Sequence, residues 1–141
     1  AGGRRPRGLM PDVLRYLVVA MLLMHGLSHI IWFLASWTSV RTGVGDGPWI
    51  LPGDITIKGR VGRALGLLAL IVMVVFIMAG LMLLSGVQTW NGVANIGIFL
   101  SYGVVVPWIR QGPGSWPPTS VVANIILMFL VTPEISGEIL I

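Results

Sequence analysis

The chain contains no cysteine, which excludes disulfides and any thiolate-held zinc or iron–sulfur centre on this polypeptide. Charge is nearly as scarce. Of 141 residues, 10% are Asp, Glu, Lys or Arg, against about 25% in soluble proteins, and residues 64–109 contain none. No carboxylate lies within the apolar runs, so the acidic relays of proton-driven transporters are missing. A phosphate-binding G-x-x-x-x-G-K-[ST] loop, a dinucleotide fingerprint and a serine elbow are absent too. "GVGDG" at 43–47 leads into no lysine-bearing helix and reads as a turn. Basic and aromatic residues are not interleaved on a polar surface, so nucleic acid is not an expected partner. Catalysis by this chain alone is not expected.

What is present is hydrophobic: 55% of the residues, with a mean hydropathy of +0.91. This composition predicts an integral membrane protein. The uncharged stretch 64–109 is about twice the 20 or so residues that a helix needs to cross a bilayer core, so two helices must fold back on each other there. The expected fold is all-α, an integral membrane four-helix bundle forming one domain, with spans at about 12–37, 61–84, 87–109 and 120–131 and an extramembrane loop over 38–60.

Local signals set these limits. Asp12 can cap the first span after Pro11, and Trp32 and Trp37 are placed near the far interface. That span is too long for a signal-peptide core and is read as a retained anchor. The loop carries turns at Gly47-Pro48 and Pro52-Gly53. Gly62, Gly66 and Gly80 give the second span smooth patches for a neighbouring backbone, and Ser85 and Gly86 make the following turn. Pro107 is placed to bend or stop the third span. "RQGPGSWPPTS" reads as a stiff connection to a short fourth span, whose length suggests a position covered by protein. The end, "TPEISGEILI", is broken by Pro133 and Gly137 and is expected at the interface.

The net charge of +4 sits partly in Arg4, Arg5 and Arg7, placed against anionic headgroups at about 1 kcal/mol per residue. An even number of spans puts both termini on one side. That side is taken as the cytoplasmic face of a prokaryotic inner membrane, because the first helix usually dominates orientation.

The chemistry-bearing residues fall in stripes. "MHGLSHIIW" places His25, Ser28, His29 and Trp32 at spacings of three and four on one face of the first span, continued by Ser36. Gln88, Asn91, Asn95 and Tyr102 form a similar stripe on the third span, and the fourth adds Asn124. Polar groups facing lipid are expensive, so these stripes should turn inward and meet in a polar seam. For the histidines two readings stay open. In one, each ring exchanges hydrogen bonds with Asn or Ser across the seam. In the other, His25 and His29 chelate a metal such as copper, with Met21 and Met24 adding thioethers, or one of them is the axial ligand of a haem or chlorophyll with Trp32 or Trp37 packed on the ring. Contact with a quinone or with lipid is a third use of the same stripe. The seven methionines are irregularly spaced and read as gap-filling apolar residues.

"LRYLVVAMLLMHGLSHIIWFL" resembles the first helix of the DoxX-like group of small four-helix bacterial and archaeal membrane proteins, in which a His-Gly pair follows an apolar run that starts near an arginine. Here those positions are Arg15, His25 and Gly26. "VVANIILMFLV" is similar to fourth helices in uncharacterised relatives. The resemblance implies a four-span fold and a redox neighbourhood, since some members partner quinone-linked sulfur oxidation.

The expected function is that of a non-catalytic accessory subunit of a larger membrane complex, respiratory or photosynthetic. The second-span glycines and the short fourth span would face other membrane subunits and bilayer lipids. The alternatives are a haem-, chlorophyll- or metal-binding electron-transfer or pigment subunit using His25 or His29, and a small quinone-binding protein or transporter.

Overall fold

A computed structural model describes residues 9–48, 55–110, 116–132 and 135. The expectations for Arg4, Arg5 and Arg7, for the Pro52-Gly53 turn and for Pro133 and Gly137 lie outside the described residues, as does 111–115 of the proline-rich connection. The protein is all-α, with no strand among the described residues. Its helices are α1 (Leu9–Ser28), α2 (Ile30–Trp37), α3 (Arg60–Leu84), α4 (Trp90–Val105) and α5 (Trp116–Leu130), with a 3-10 turn at Val106–Trp108 after α4. Among the described residues two stretches, Asp12–Trp37 and Arg60–Leu84, are long and apolar enough to cross a membrane.

The first stretch is not one uninterrupted helix, as its periodicity suggested. At His29 the backbone tightens for one turn. The His29 amide donates to the Gly26 carbonyl at 3.1 Å and the Trp32 amide to the His29 carbonyl at 3.1 Å, both bonds of the i to i−3 kind that marks a 3-10 segment. The axis continues, so α1 and α2 together lie along α3.

Apolar positions three and four apart on α3 dictate which face it buries. Ala69, Val72, Phe76, Ala79 and Leu83 are buried there, against Val18, Val19 and Leu22 of α1 and Ala94, Ile98 and Val105 of α4. α5 closes the set by packing on α4 and more lightly on α1. Its helix begins before the predicted residue 120, at Trp116, because Pro117 and Pro118 fall in the first turn, where a missing N–H leaves no helical bond unmade.

The turn between α3 and α4 has a defined chemistry. The Gly86 amide donates to the Leu83 carbonyl at 3.1 Å and the Val87 amide to the Met82 carbonyl at 2.9 Å, with Gly86 at φ +74°. This pair of bonds around a left-handed glycine is the Schellman ending of a helix. From α1, Arg15 adds its own cap: Nε donates to the Leu83 carbonyl at 3.0 Å and Nη2 to the Leu84 carbonyl at 2.6 Å. A guanidinium here meets the negative end of the α3 dipole. At the opposite end of α3, the Trp37 indole donates to the Arg63 carbonyl at 2.9 Å, and the Arg63 guanidinium lies 5.6 Å from the Trp37 ring centre.

The glycines of the second span are used inside the chain rather than offered to a partner. Gly62, Gly66 and Gly80 are all buried. A Cβ on Gly66 would collide with Ser36 Oγ of α2, and one on Gly80 would stand 3.2 Å from Leu23 of α1.

Candidate functional site

Four of the six buried polar residues among those described converge at one level of the fold. His25 and His29 come from the end of α1 and the break after it, Ser101 from α4 and Asn124 from α5, and their exposures are 7%, 1%, 0% and 0%. His25 Nε2 lies 2.8 Å from Asn124 Oδ1, Asn124 Nδ2 lies 2.9 Å from Ser101 Oγ, and Ser101 Oγ lies 2.8 Å from His29 Nε2. His29 Nδ1 lies 2.9 Å from the carbonyl of His25. The four side chains thus run from the His25 ring back to the His25 backbone.

The direction of every bond follows from that last contact. A carbonyl only accepts, so His29 Nδ1 carries the proton and its Nε2, in the neutral ring, accepts. Ser101 must therefore donate its hydroxyl proton to His29 Nε2. Its oxygen in turn accepts from the Asn124 amide, which turns Asn124 Oδ1 toward His25, so His25 donates from Nε2. The two histidines hold opposite tautomers, and His25 Nδ1 is left as a bare lone pair.

The tightened backbone at His29 makes this possible. In an unbroken α-helix the His25 carbonyl would accept the amide of residue 29. Here that amide goes to Gly26, and the His25 carbonyl accepts instead from His29 Nδ1 and, at 2.6 Å, from the Ser28 hydroxyl.

Phe76 of α3 holds the two rings in place. It is fully buried, with its ring centre 4.9 Å from that of His25 in an edge-on contact and 5.9 Å from that of His29. The ring fits in a slot between two glycines. A Cβ on Gly26 would stand 2.9 Å from Phe76 Cβ, and one on Gly97 would stand 3.1 Å from Phe76 Cε1.

The predicted residues divide between this network and its margins. His25, His29 and Asn124 enter it, while Ser28 bonds only the backbone of its own helix. Gln88 lies exposed in the turn before α4, and Asn91, Asn95 and Tyr102 are half-buried on one flank of α4, about a third of a turn from its buried face. Asn91 accepts the Gly92 amide at 2.9 Å. Trp32 is buried near Trp108, with ring centres 6.3 Å apart. Sequence reasoning missed Ser101 and Phe76. The signal for Ser101 was the run Ala94, Gly97, Ser101, small residues three and four apart that mark a close-packed helix face.

For ligation, the arrangement offers one nitrogen. Both ring nitrogens of His29 are occupied within the chain, so the two histidines do not form a chelating pair. Among the described residues no three His, Cys, Asp or Glu side chains come together as a metal cage. The free nitrogen of His25 is Nδ1, which adjoins the ring carbon bearing Cβ and so brings any planar macrocycle against the helix itself.

His25 also borders a groove of about 680 Å³ between α1 and α5, two helices that pack only lightly on each other. Leu17, Ala20, Met21 and Met24 form its α1 wall, and Thr119, Ser120 and Ala123 its α5 wall. No protein-family model, curated protein or solved structure matches this chain. The DoxX-like resemblance therefore rests on the first- and fourth-helix residues that carry it.

Proposed function

We propose that this chain is an integral four-helix bundle of a prokaryotic inner membrane and serves as a non-catalytic subunit of a larger membrane assembly. The observation that carries the reading is the inverted placement of polarity. Large apolar side chains are exposed on several helices, including Met24, Leu67, Ile71, Val74, Phe99 and Phe129, while His25, His29, Ser101 and Asn124 are turned inward onto one another. That is the arrangement expected where the surroundings offer no hydrogen bonds. Arg15 and Arg63 support it from the two ends of α3. They mark levels separated by 21 or so residues of helix, roughly 30 Å at 1.5 Å per residue, the thickness of a hydrocarbon core.

The closed circuit argues for a structural task. Every polar side chain in it except His25 Nδ1 has its partner within the chain, which leaves no activated nucleophile or paired acid and base. The apolar exterior is then available to lipid and to neighbouring subunits.

Two measurements test this. The protein should remain with membranes through alkaline carbonate extraction, and release into the soluble fraction would overturn the membrane assignment. After mild-detergent extraction it should comigrate with larger subunits, whereas recovery only as a free monomer would overturn the subunit assignment and leave the membrane assignment standing.

A further inference from the structure

We infer that the groove between α1 and α5 is a binding site for a neutral, membrane-soluble alcohol or phenol, whose hydroxyl donates a proton to His25 Nδ1 while its apolar body lies along α1. The inference rests on the membrane reading above, because only there does the groove open to a lipid phase.

The polar end of the groove is built from groups that the fold leaves unused. Among the described residues, the indole nitrogens of Trp90 and Trp108 are the buried side-chain polar atoms without a partner. Among the same residues His25 Nδ1 has no hydrogen-bond partner either. It therefore meets open space, and the space against His25 is the groove. Its direction is fixed by the hydrogen-bond circuit: with Nε2–H committed to Asn124, Nδ1 can only accept. The hydroxyl of Ser120, a residue 8% exposed and also on the groove, has no side-chain hydrogen-bond partner among the described residues and can donate. A ligand hydroxyl does both, giving its proton to His25 and accepting one from Ser120. A ketone or ether only accepts and would leave the imidazole lone pair buried and unpaired, an outcome that typically costs about 1–3 kcal/mol.

Charge and depth narrow the class further. Among the described residues that line the groove there is no Asp, Glu, Lys or Arg, so a phosphate or carboxylate would meet no counter-charge from them. His25 stands ten residues from Arg15 and twelve from Trp37, roughly 15 Å and 18 Å along the helix, which puts it near mid-bilayer. A phospholipid keeps its headgroup at the interface and cannot bring it there. A small neutral molecule dissolved in the acyl chains can. Toward Leu17 the α1 wall is aliphatic, and Met21 and Met24 beside His25 are side chains that adapt to irregular apolar shapes. The volume lies within the roughly 300–1,000 Å³ usual for small-molecule sites.

The test uses the full chain in lipid nanodiscs, titrated with para-nonylphenol and with its methyl ether, para-nonylanisole, in which a methyl group replaces the hydroxyl proton. The phenol should saturate at one per chain, and the ether should bind at least about tenfold more weakly, the factor that one hydrogen bond of about 1.4 kcal/mol supplies. The 15N resonance of His25 Nδ1 should move with the phenol and stay in place with the ether. Ala123→Leu, which fills the groove without touching the circuit, should abolish binding while helicity and the His29 resonances are kept. Equal affinity for the two probes, absence of saturation, a stationary Nδ1 resonance or undiminished binding by Ala123→Leu would each overturn the proposal. A chain that resists carbonate extraction yet binds neither probe removes the groove assignment and leaves the membrane reading intact.

Discussion

His29 donates its Nδ1 proton to the carbonyl of His25, one turn earlier in the chain and 2.9 Å away. Because a backbone carbonyl cannot donate, this contact sets the sense of every other hydrogen bond in the polar core. It also depends on the backbone, since the His29 amide has moved to Gly26 and left that carbonyl open to side chains.

Two neutral histidines four residues apart should therefore occupy opposite tautomers. In 15N-detected magnetic resonance at neutral pH, His25 should carry its proton on Nε2 and His29 on Nδ1. The same tautomer on both rings would mean that the circuit runs otherwise.

The circuit should behave as a unit under mutation. A single hydrogen bond between membrane helices is typically worth about 0.6 kcal/mol, but Ser101→Ala strands two groups at once, His29 Nε2 and Asn124 Nδ2. A loss nearer 1–3 kcal/mol is expected, because an orphaned buried group bears its full desolvation penalty. Asn124→Ala should lose a similar amount, and the double variant should lose clearly less than the sum. Additive losses in equilibrium unfolding would show that the bonds act independently.

Packing around Phe76 makes a sharper contrast. Gly26→Ala places a methyl group 2.9 Å from Phe76 Cβ and 3.2 Å from the Met73 carbonyl, and neither α1 nor α3 can yield without disturbing the imidazoles. A loss of about 1–3 kcal/mol is expected. At Gly92 a Cβ meets nothing within 4 Å, so Gly92→Ala should be neutral or stabilising by up to about 1 kcal/mol through helix propensity. Thermal unfolding of the two variants side by side decides the matter, and equal behaviour would contradict the close approach.

Arg15 caps α3 from another helix with two donors. Arg15→Met keeps much of the stem and removes the cap, and should destabilise by roughly 1 kcal/mol. Arg15→Lys should restore only part of this, since an ammonium cannot reproduce the two-pronged geometry. Amide exchange over residues 85–87 should accelerate most. Unchanged protection there would assign the contact no part in holding the turn.

How far the sequence could be read depended on whether a feature is set by neighbours along the chain or across it. Runs of apolar residues bounded by Arg15, Arg63 and Arg110 placed the helices within a few residues, since helix formation follows local pattern. Pro117 and Pro118 misled at the start of α5 because the same residue that breaks a helix interior suits its first turn. On α4 the conspicuous amides Asn91 and Asn95 drew the seam to the wrong flank. The face that packs carries Ala94, Gly97 and Ser101, small residues whose value lies in how close they let Phe76 and the imidazoles come.

By itself the sequence determined that this chain is helical, apolar on the outside and in need of internal partners for a few polar side chains, because composition and a periodicity of three to four are properties of single residues and single helices. Which side chains became those partners, which way their protons point and which nitrogen of His25 was left over were decided only in three dimensions. Ser101 and Asn124 lie 72 and 99 residues from their respective histidines. A hydrogen bond across such a separation depends on how helices cross, and no local pattern encodes that.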